Sequence, residues 1–338
     1  MAMEPREWPP SCERQRSSSG ALVGAVWVYA EVTESGIDSS ALELLAKARA
    51  LDPEPAAVAL GPGSSAAAAV LGRHGAATVY CSDDSVYSDF VAEPATFALQ
   101  QLVAEHGPEL ILFATNYNSR DVAGRLSALT GATLVANAVD IPSLDVAQTA
   151  IMGGSTRVDV RLEGTLKLVL VRPKSFVAEE AGGECLTVAI DIAVPDKLKR
   201  AKVIERHEAQ TAGPKLRDAS VVIAGGRGLQ GAENFHLLDE LAKSIPGAAV
   251  GGTRAVVDAG WVPYSYQIGQ TGSTVKPEVY LAFGISGATQ HVVGMKGSKR
   301  IVAVNRDEDA PIFSLADLGV VGNALELLPK LIEEIRKG

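Results

Sequence analysis

A chain of 338 residues exceeds one typical domain, so two domains are expected. Its 47% hydrophobic and 21% charged residues describe an ordinary globular protein with a sizeable core, and no apolar run approaches the ~20 residues that cross a bilayer. A formal net charge of −9 without a Lys/Arg run argues against nucleic-acid binding, and Cys12, Cys81 and Cys185 lack the spacing of a zinc or iron–sulfur site.

Residues 1–20 carry Pro5, Pro9, Pro10 and a Ser17-Ser18-Ser19-Gly20 tail, and read as a disordered extension. They lack the apolar core of a secretory signal, and Glu4, Glu7 and Glu13 count against a transit peptide. From Leu22 short apolar runs alternate with helical periods. Val23 to Ala30 reads as a strand, and Ser39-Ser40 as the cap of a helix to Leu51. Val58 to Leu60 is the next strand, Ala66 to Arg73 a helix, and Thr78 to Cys81 a strand. Pro94 suits the first turn of a helix ending near Glu105. Leu110 to Ala114 is another buried strand, after which Ser119 is expected to cap a helix to about Thr130. This alternation predicts an α/β domain with a parallel sheet covered on both faces.

After Asp140 the rhythm changes. Thr156 to Leu162 and Leu166 to Arg172 flank Glu163-Gly164-Thr165 and read as a hairpin, with Leu186 to Ile192 as a further strand. Such antiparallel pieces commonly finish a parallel sheet. Pro195 to Pro214 is charged and polar and is the expected linker, so the first domain should span 21–208 and the second 209–338. The second restarts the alternation. Val221 to Ala224, Ala248 to Val250, Val279 to Phe283 and Arg300 to Val304 are strands, Glu233 to Ile245 is a helix, and Asn323 to Lys337 is a terminal helix.

Glycine-rich polar segments follow these strands, where open α/β sheets hold nucleotides. Gly226-x-Gly228-x-x-Gly231 matches a dinucleotide fingerprint, in which glycines admit a pyrophosphate and a helix N-terminus faces it. That reading also wants a carboxylate after the second strand, and the chain has Gly251-Gly252-Thr253-Arg254 there. The other loops ask for an anion and a polar heterocycle. Arg227 and Arg254 are permanently charged, and Gln270 and Thr271 offer an amide and a hydroxyl. Ser286, Gly287 and His291 gather at a loop-to-helix junction, and Asn305 ends a strand. Taken singly each has an ordinary structural explanation; their joint placement at strand ends favours a ligand site.

These residues also carry a family resemblance. Gly225-Gly226-Arg227-Gly228-Leu229, Thr253-Arg254-Ala255-Val256-Val257-Asp258-Ala259-Gly260, Gln267 with Gly269 to Gly272, Gly284 to Ala288, Gln290-His291 and Asn305 together resemble the FAD domain of electron transfer flavoprotein alpha subunits. The match covers most of 220–323. The resemblance implies a Rossmann-like, deoxyhypusine-synthase-like second domain that binds one FAD, and a heterodimer with a beta subunit carrying AMP or a second FAD. It assigns cofactor contacts to Arg227, Thr253, Arg254, Ile268, Gly269, Gln270, Thr271, Ser286, Gly287, Ala288, Thr289, Gln290, His291, Asn305, Asn323 and Ala324. Three of these are implied to tune the flavin: Arg254 lies against the ring, the Thr271 hydroxyl approaches N5, and His291 sits near the C2 carbonyl. Thr253 stands where the family usually has Ser, and Asn323 where it often has Asp.

The implied function is electron carriage more than substrate conversion. Flavin dehydrogenases, such as those acting on acyl-CoA, would supply electrons to a membrane quinone oxidoreductase. The expected compartment is the bacterial or archaeal cytoplasm ahead of the mitochondrial matrix, with no membrane insertion and no metal. A bifurcating or FixB-like flavoprotein that oxidises NADH is the nearer alternative. An NAD-dependent enzyme of deoxyhypusine-synthase-like fold and a nucleotide-sensing module are the alternatives from other classes.

Overall fold

The computed structural model describes residues 25–33, 36–154, 156–205 and 214–337. The expected extension at 1–20 lies outside the described residues. The chain divides into two compact units, one running to Thr149 and including Val158–Ile204, the other comprising Ala150–Arg157 and the chain from Glu205.

In the first unit, β1 (Val26–Thr33) turns through β2 (Gly36–Ile37) into α1 (Ser39–Leu51). There follow β3 (Ala56–Leu60), α2 (Ser64–Arg73), β4 (Thr78–Ser82), the short α3 (Val86–Asp89), α4 (Glu93–His106), β5 (Leu110–Ala114) and α5 (Tyr117–Thr130). The unit continues with β6 (Thr133–Ser143), β7 (Val146–Ile151), β8 (Thr156–Arg161), β9 (Lys167–Val171) and β10 (Leu186–Ala189). The sheet order is β10-β4-β3-β1-β5-β9-β6-β7-β8, with β2 paired to β1.

Because successive strand side chains point to opposite faces, β1 divides its residues between two cores. Val26, Val28 and Ala30 pack with Leu44, Leu45 and Ala48 of α1 and Leu71 of α2. Trp27 and Tyr29 pack with Leu99 and Leu102 of α4 and Val122 and Leu126 of α5. Helices therefore cover both faces, as the strand–helix alternation requires.

Three expectations need correction here. The caps are Asp38, whose carboxylate accepts from the Ser40 N–H at 2.8 Å, and Asn116, whose side-chain Oδ1 accepts from the Ser119 N–H at 2.8 Å. Both lie upstream of the serines first favoured, and both satisfy first-turn donors more directly. The segments 156–162 and 166–172 are not a hairpin. β9 lies between β5 and β6 and is parallel to both, whereas β8 lies beside β7 at the sheet edge. All five residues of β9 are buried, which a central strand requires, while most of β8 is exposed. β6 and β7 pair antiparallel instead, and β10 runs parallel to β4.

The expected linker also begins as ordered structure. Arg200 binds the carboxylate of Glu93, with Nε to Oε2 at 3.0 Å and a second contact from its Nη2. Val91 N–H donates to the Ala201 carbonyl, and Val203 N–H to that of Asp89.

The second unit is built from β11 (Val221–Gly225), α6 (His236–Lys243), β12 (Ala248–Gly252), α7 (Arg254–Asp258), β13 (Val279–Phe283), α8 (Thr289–Met295), β14 (Arg300–Asn305), β15 (Leu318–Val321) and α9 (Ala324–Lys337). The helix expected over 233–245 starts as a 3-10 turn, Ala232–Phe235, and becomes α-helical only at His236. All five strands are parallel, in the order β12-β11-β13-β14-β15. Leu238 and Leu241 of α6 and Leu328 and Ile332 of α9 cover one face. Met295 of α8, Ile268 and Ile285 cover the other. Numbered within the unit, this is the doubly wound order 2-1-3-4-5, whose direction of winding reverses between β11 and β13. A ligand crevice belongs at the carboxyl ends of those two strands.

Candidate functional site

Glycine brings the two switch-point loops into contact. A Cβ on Gly226 would lie 2.3 Å from the Gly284 carbonyl oxygen, and one on Gly228 would lie 2.6 Å from the Gly284 Cα. Gly228 N–H donates to that carbonyl at 3.0 Å, and Gly226 N–H to the Phe283 carbonyl at 2.9 Å. Any side chain at these positions would push the loops apart, so the close approach depends on glycine. Only part of the G-x-G-x-x-G pattern thus serves the site: Gly226 and Gly228 join β11 to β13.

Beyond β12, Thr253 is extended and Arg254 begins α7. The Thr253 N–H donates to the Gly225 carbonyl at 3.1 Å, tying this loop to the first. Arg254 Nε pairs with Asp258 at 3.1 Å, one helical turn away, with both side chains largely exposed.

The next loop folds onto α8. Gly269 has φ +143°, and a Cβ there would lie 2.7 Å from the Gln290 carbonyl, which accepts from the Gln270 N–H at 2.7 Å. The amide of buried Gln267 donates to the Thr271 hydroxyl oxygen at 2.8 Å, and the Tyr264 hydroxyl donates to the Thr271 carbonyl. After β13, the Ser286 carbonyl accepts from the Ile312 N–H at 3.0 Å. After β14, Asn305 donates to the Ile285 carbonyl at 2.9 Å and accepts from the Asp307 N–H at 3.1 Å.

Together these loops enclose a cavity of about 580 Å³, within the range of small-molecule sites. Of the residues expected in the site, Arg227, Thr253, Arg254, Ile268, Gly269, Gln270, Thr271, Ser286, Ala288, Gln290, His291 and Asn305 line it. Gly287, Thr289, Asn323 and Ala324 are not among the residues lining it. Gly287 has φ +89° and packs on Ile312, while Thr289 opens α8. Asn323 accepts from the Leu325 N–H at 3.1 Å, capping α9, and Ala324 is buried in the core.

The lining also includes Ala255, Asp258, Gln267 and Asp307, to which sequence reasoning gave no role. Asp307 had a usable signal, since it lies two residues beyond the β14 terminus. Gln267 was marked only as one of the residues that carry the family resemblance, and its contact with Thr271 leaves no local pattern.

His291 is buried and both its ring nitrogens are engaged. Nδ1 lies 3.0 Å from the Ile268 carbonyl, and Nε2 lies 2.9 Å from the Tyr280 hydroxyl. The carbonyl can only accept, so Nδ1 carries the proton and Nε2 accepts from Tyr280. Burial pushes the His291 pKa down to about 4, so the ring is neutral near pH 7. Charge at the cavity therefore comes from Arg227, Arg254, Asp258 and Asp307.

Among the described residues no cluster of His, Cys, Asp or Glu could hold a metal ion. The lining instead mixes guanidinium groups, hydroxyls and glycine backbone. Such groups fit a phosphate-bearing ligand with a polar ring.

Comparison with known proteins agrees with this chemistry. Residues 215–296 match the model of the electron transfer flavoprotein FAD-binding domain, and residues 26–212 match the electron transfer flavoprotein domain. Electron transfer flavoprotein subunit alpha of Mycobacterium leprae is 39% identical over 316 residues, covering 92% of this chain and 98% of the relative. The same subunit of Mycobacterium tuberculosis H37Rv is 41% identical over 317 residues, covering 93% and 99%. A protein named FixB from Clostridium saccharobutylicum is 34% identical over 326 residues, covering 92% and 96%.

Proposed function

This chain belongs to the family of electron transfer flavoprotein alpha subunits, and from that premise we propose that its second unit holds one FAD in the cavity at the β11/β13 switch point. Family membership makes the chain a flavin-binding electron-transfer subunit and implies a heterodimer with a beta subunit. The observation that carries the site assignment is the convergence of Arg227, Thr253, Arg254, Gln270, Thr271, Ser286 and Asn305 on one cavity.

When bound, the flavin supplies the redox chemistry, accepting and releasing electrons at its ring. The chain's own part is to bind, orient and tune. The glycine-paired loops hold the carboxyl ends of β11 and β13 together beside the cavity, and Ser286 and Asn305 offer polar partners. The Arg254 guanidinium would favour negative charge on a bound flavin, and the Thr271 hydroxyl would offer it a hydrogen-bond donor. His291, held neutral between Tyr280 and Ile268, contributes a dipole and a fixed α8 in place of a full charge.

The electron donors in this reading are flavin dehydrogenases, including those acting on acyl-CoA, and the acceptor is a membrane quinone oxidoreductase. The beta subunit would carry AMP. The similarity to a FixB protein supports a second reading, in which the partner carries a second FAD and the complex oxidises NADH. Rapid mixing of the oxidised heterodimer with a reduced acyl-CoA dehydrogenase, or with NADH, separates the two. Bleaching by the dehydrogenase alone supports the simple carrier. Bleaching by NADH supports the second reading, and bleaching by neither contradicts both.

A further inference from the structure

Thr271 lines the cavity, and its hydroxyl has one proton and two lone pairs to distribute. Gln267, which is only 3% exposed, occupies one lone pair through its side-chain N–H at 2.8 Å. An oxygen that accepts there cannot send its own proton in the same direction, because the facing group is a donor. The proton is left to point away from Gln267, on a residue that lines the cavity.

The backbone around this pair is tightly determined. Gln267 N–H donates to the Tyr264 carbonyl at 2.9 Å, and the Gln267 carbonyl accepts from the Ser273 N–H at 2.7 Å. A Cβ on Gly272 would come within 2.3 Å of that carbonyl oxygen, so the loop closes only with glycine. The Tyr264 hydroxyl holds the Thr271 carbonyl from the other side. Each of these bonds fixes where the amide and the hydroxyl meet.

We propose that Gln267 is a positioning residue, whose amide N–H holds the Thr271 oxygen so that the Thr271 hydroxyl donates its proton to an acceptor atom of the bound flavin ring. This rests on the reading that the cavity holds FAD. A hydrogen bond donated to the ring favours its electron-rich reduced forms, so losing the donor lowers the flavin potential.

The test uses the FAD-loaded heterodimer and reads midpoint potential and visible spectrum for wild type, Thr271→Val, Gln267→Glu, Gln267→Leu and the two doubles with Thr271→Val. A carboxylate has only acceptor oxygens, so Gln267→Glu turns the Thr271 proton away from the cavity. The expected result is a lowered potential and a changed visible band, reproducing most of the Thr271→Val shift. Gln267→Leu frees the hydroxyl and gives a smaller shift in the same direction. In the Thr271→Val background Gln267→Leu adds nothing further, which a general loosening of the loop or a loss of polarity would not produce. The added charge of Gln267→Glu is judged by its double, where any charge effect persists without the hydroxyl.

Wild-type potential and spectrum in both Gln267 variants would overturn the proposal, since they would mean that the amide presents its oxygen to Thr271 or sets nothing. A Gln267→Leu shift that persists undiminished without the Thr271 hydroxyl would overturn it too. If Gln267→Glu does not retain FAD, Gln267→Leu and its double decide alone. A wild-type heterodimer that takes up no flavin would overturn the underlying reading instead, and is recognised before any variant is compared.

Discussion

Arg254 keeps a side-chain exposure of 66% and leans on Asp258 at 3.1 Å. In the proposed flavin site such a pair would be a charge held in place by its neighbour. Arg254→Ala removes the cation and leaves the Asp258 carboxylate uncompensated, so both effects disfavour the reduced anion. With the screening that this exposure implies, the effect is on the order of 1 kcal/mol, or roughly 40 mV for a one-electron couple. Redox titration of the variant heterodimer should show that drop with FAD retained; an unchanged potential would remove Arg254 from the tuning machinery. His291 makes a different prediction. Its folded pKa of about 4 lies below the ordinary 6.5, so the unfolded chain takes up a proton first as pH falls. The native state is unpenalised above pH 6.5, loses stability progressively toward pH 4, and loses no more from this group below that. The full loss is about 3 kcal/mol. His291→Gln, which keeps a donor and an acceptor without titrating, should flatten that part of the thermal-midpoint profile; an equally steep profile would contradict the assignment.

At the scale of elements, Glu93 joins the start of α4 to the segment that follows the first sheet. Its carboxylate is 9% exposed and is bound by Arg200, with Arg125 at 3.4 Å. The Arg200 hydrogen bond holds the Glu93 carboxyl below its ordinary pKa. Glu93→Gln should release this segment and speed tryptic cleavage near Lys199 and Arg200 about fivefold, the equivalent of about 1 kcal/mol. Unchanged cleavage kinetics would mean that the neighbouring backbone bonds suffice. The same segment shows what the sequence conveyed and what it withheld. Charge and proline content marked 195–214 as a linker, but its pairing with Asp89, Val91 and Glu93 is long-range and leaves no local pattern. The strands Leu110–Ala114 and Val279–Phe283 were legible residue for residue, because a bounded apolar run suffices to define a buried strand. The misplaced hairpin at 156–172 shares its cause with the linker: Glu163-Gly164-Thr165 is a plausible turn, and only the continuous burial of Lys167–Val171 reveals a central strand. In the cavity, glycines, arginines and hydroxyls at strand ends were readable as residue types. The contact between Gln267 and Thr271 was not, since it comes from tertiary position, and Asp307 was marked only by its place two residues beyond β14.

Across the whole molecule, the chain uses one architecture twice to different ends. In the first unit the starts of α2 and α5 receive the chain's own carboxylates. Asp83 accepts from the Ser65 N–H and the Ser64 hydroxyl at α2, and this holds its carboxyl below the ordinary pKa. Glu31 accepts from Asn116 and Asn118 at the start of α5, each at 2.6 Å. In the second unit the corresponding loops are lined by glycine, and cationic and hydroxyl groups face a cavity of about 580 Å³. The self-filled positions in the first unit contrast with the open crevice in the second, where the proposed flavin site lies. The most direct test is the FAD released on denaturing the purified heterodimer. One FAD per chain of this subunit, in a yellow complex, is the result expected of a simple carrier. A colourless complex that takes up no FAD would contradict the account.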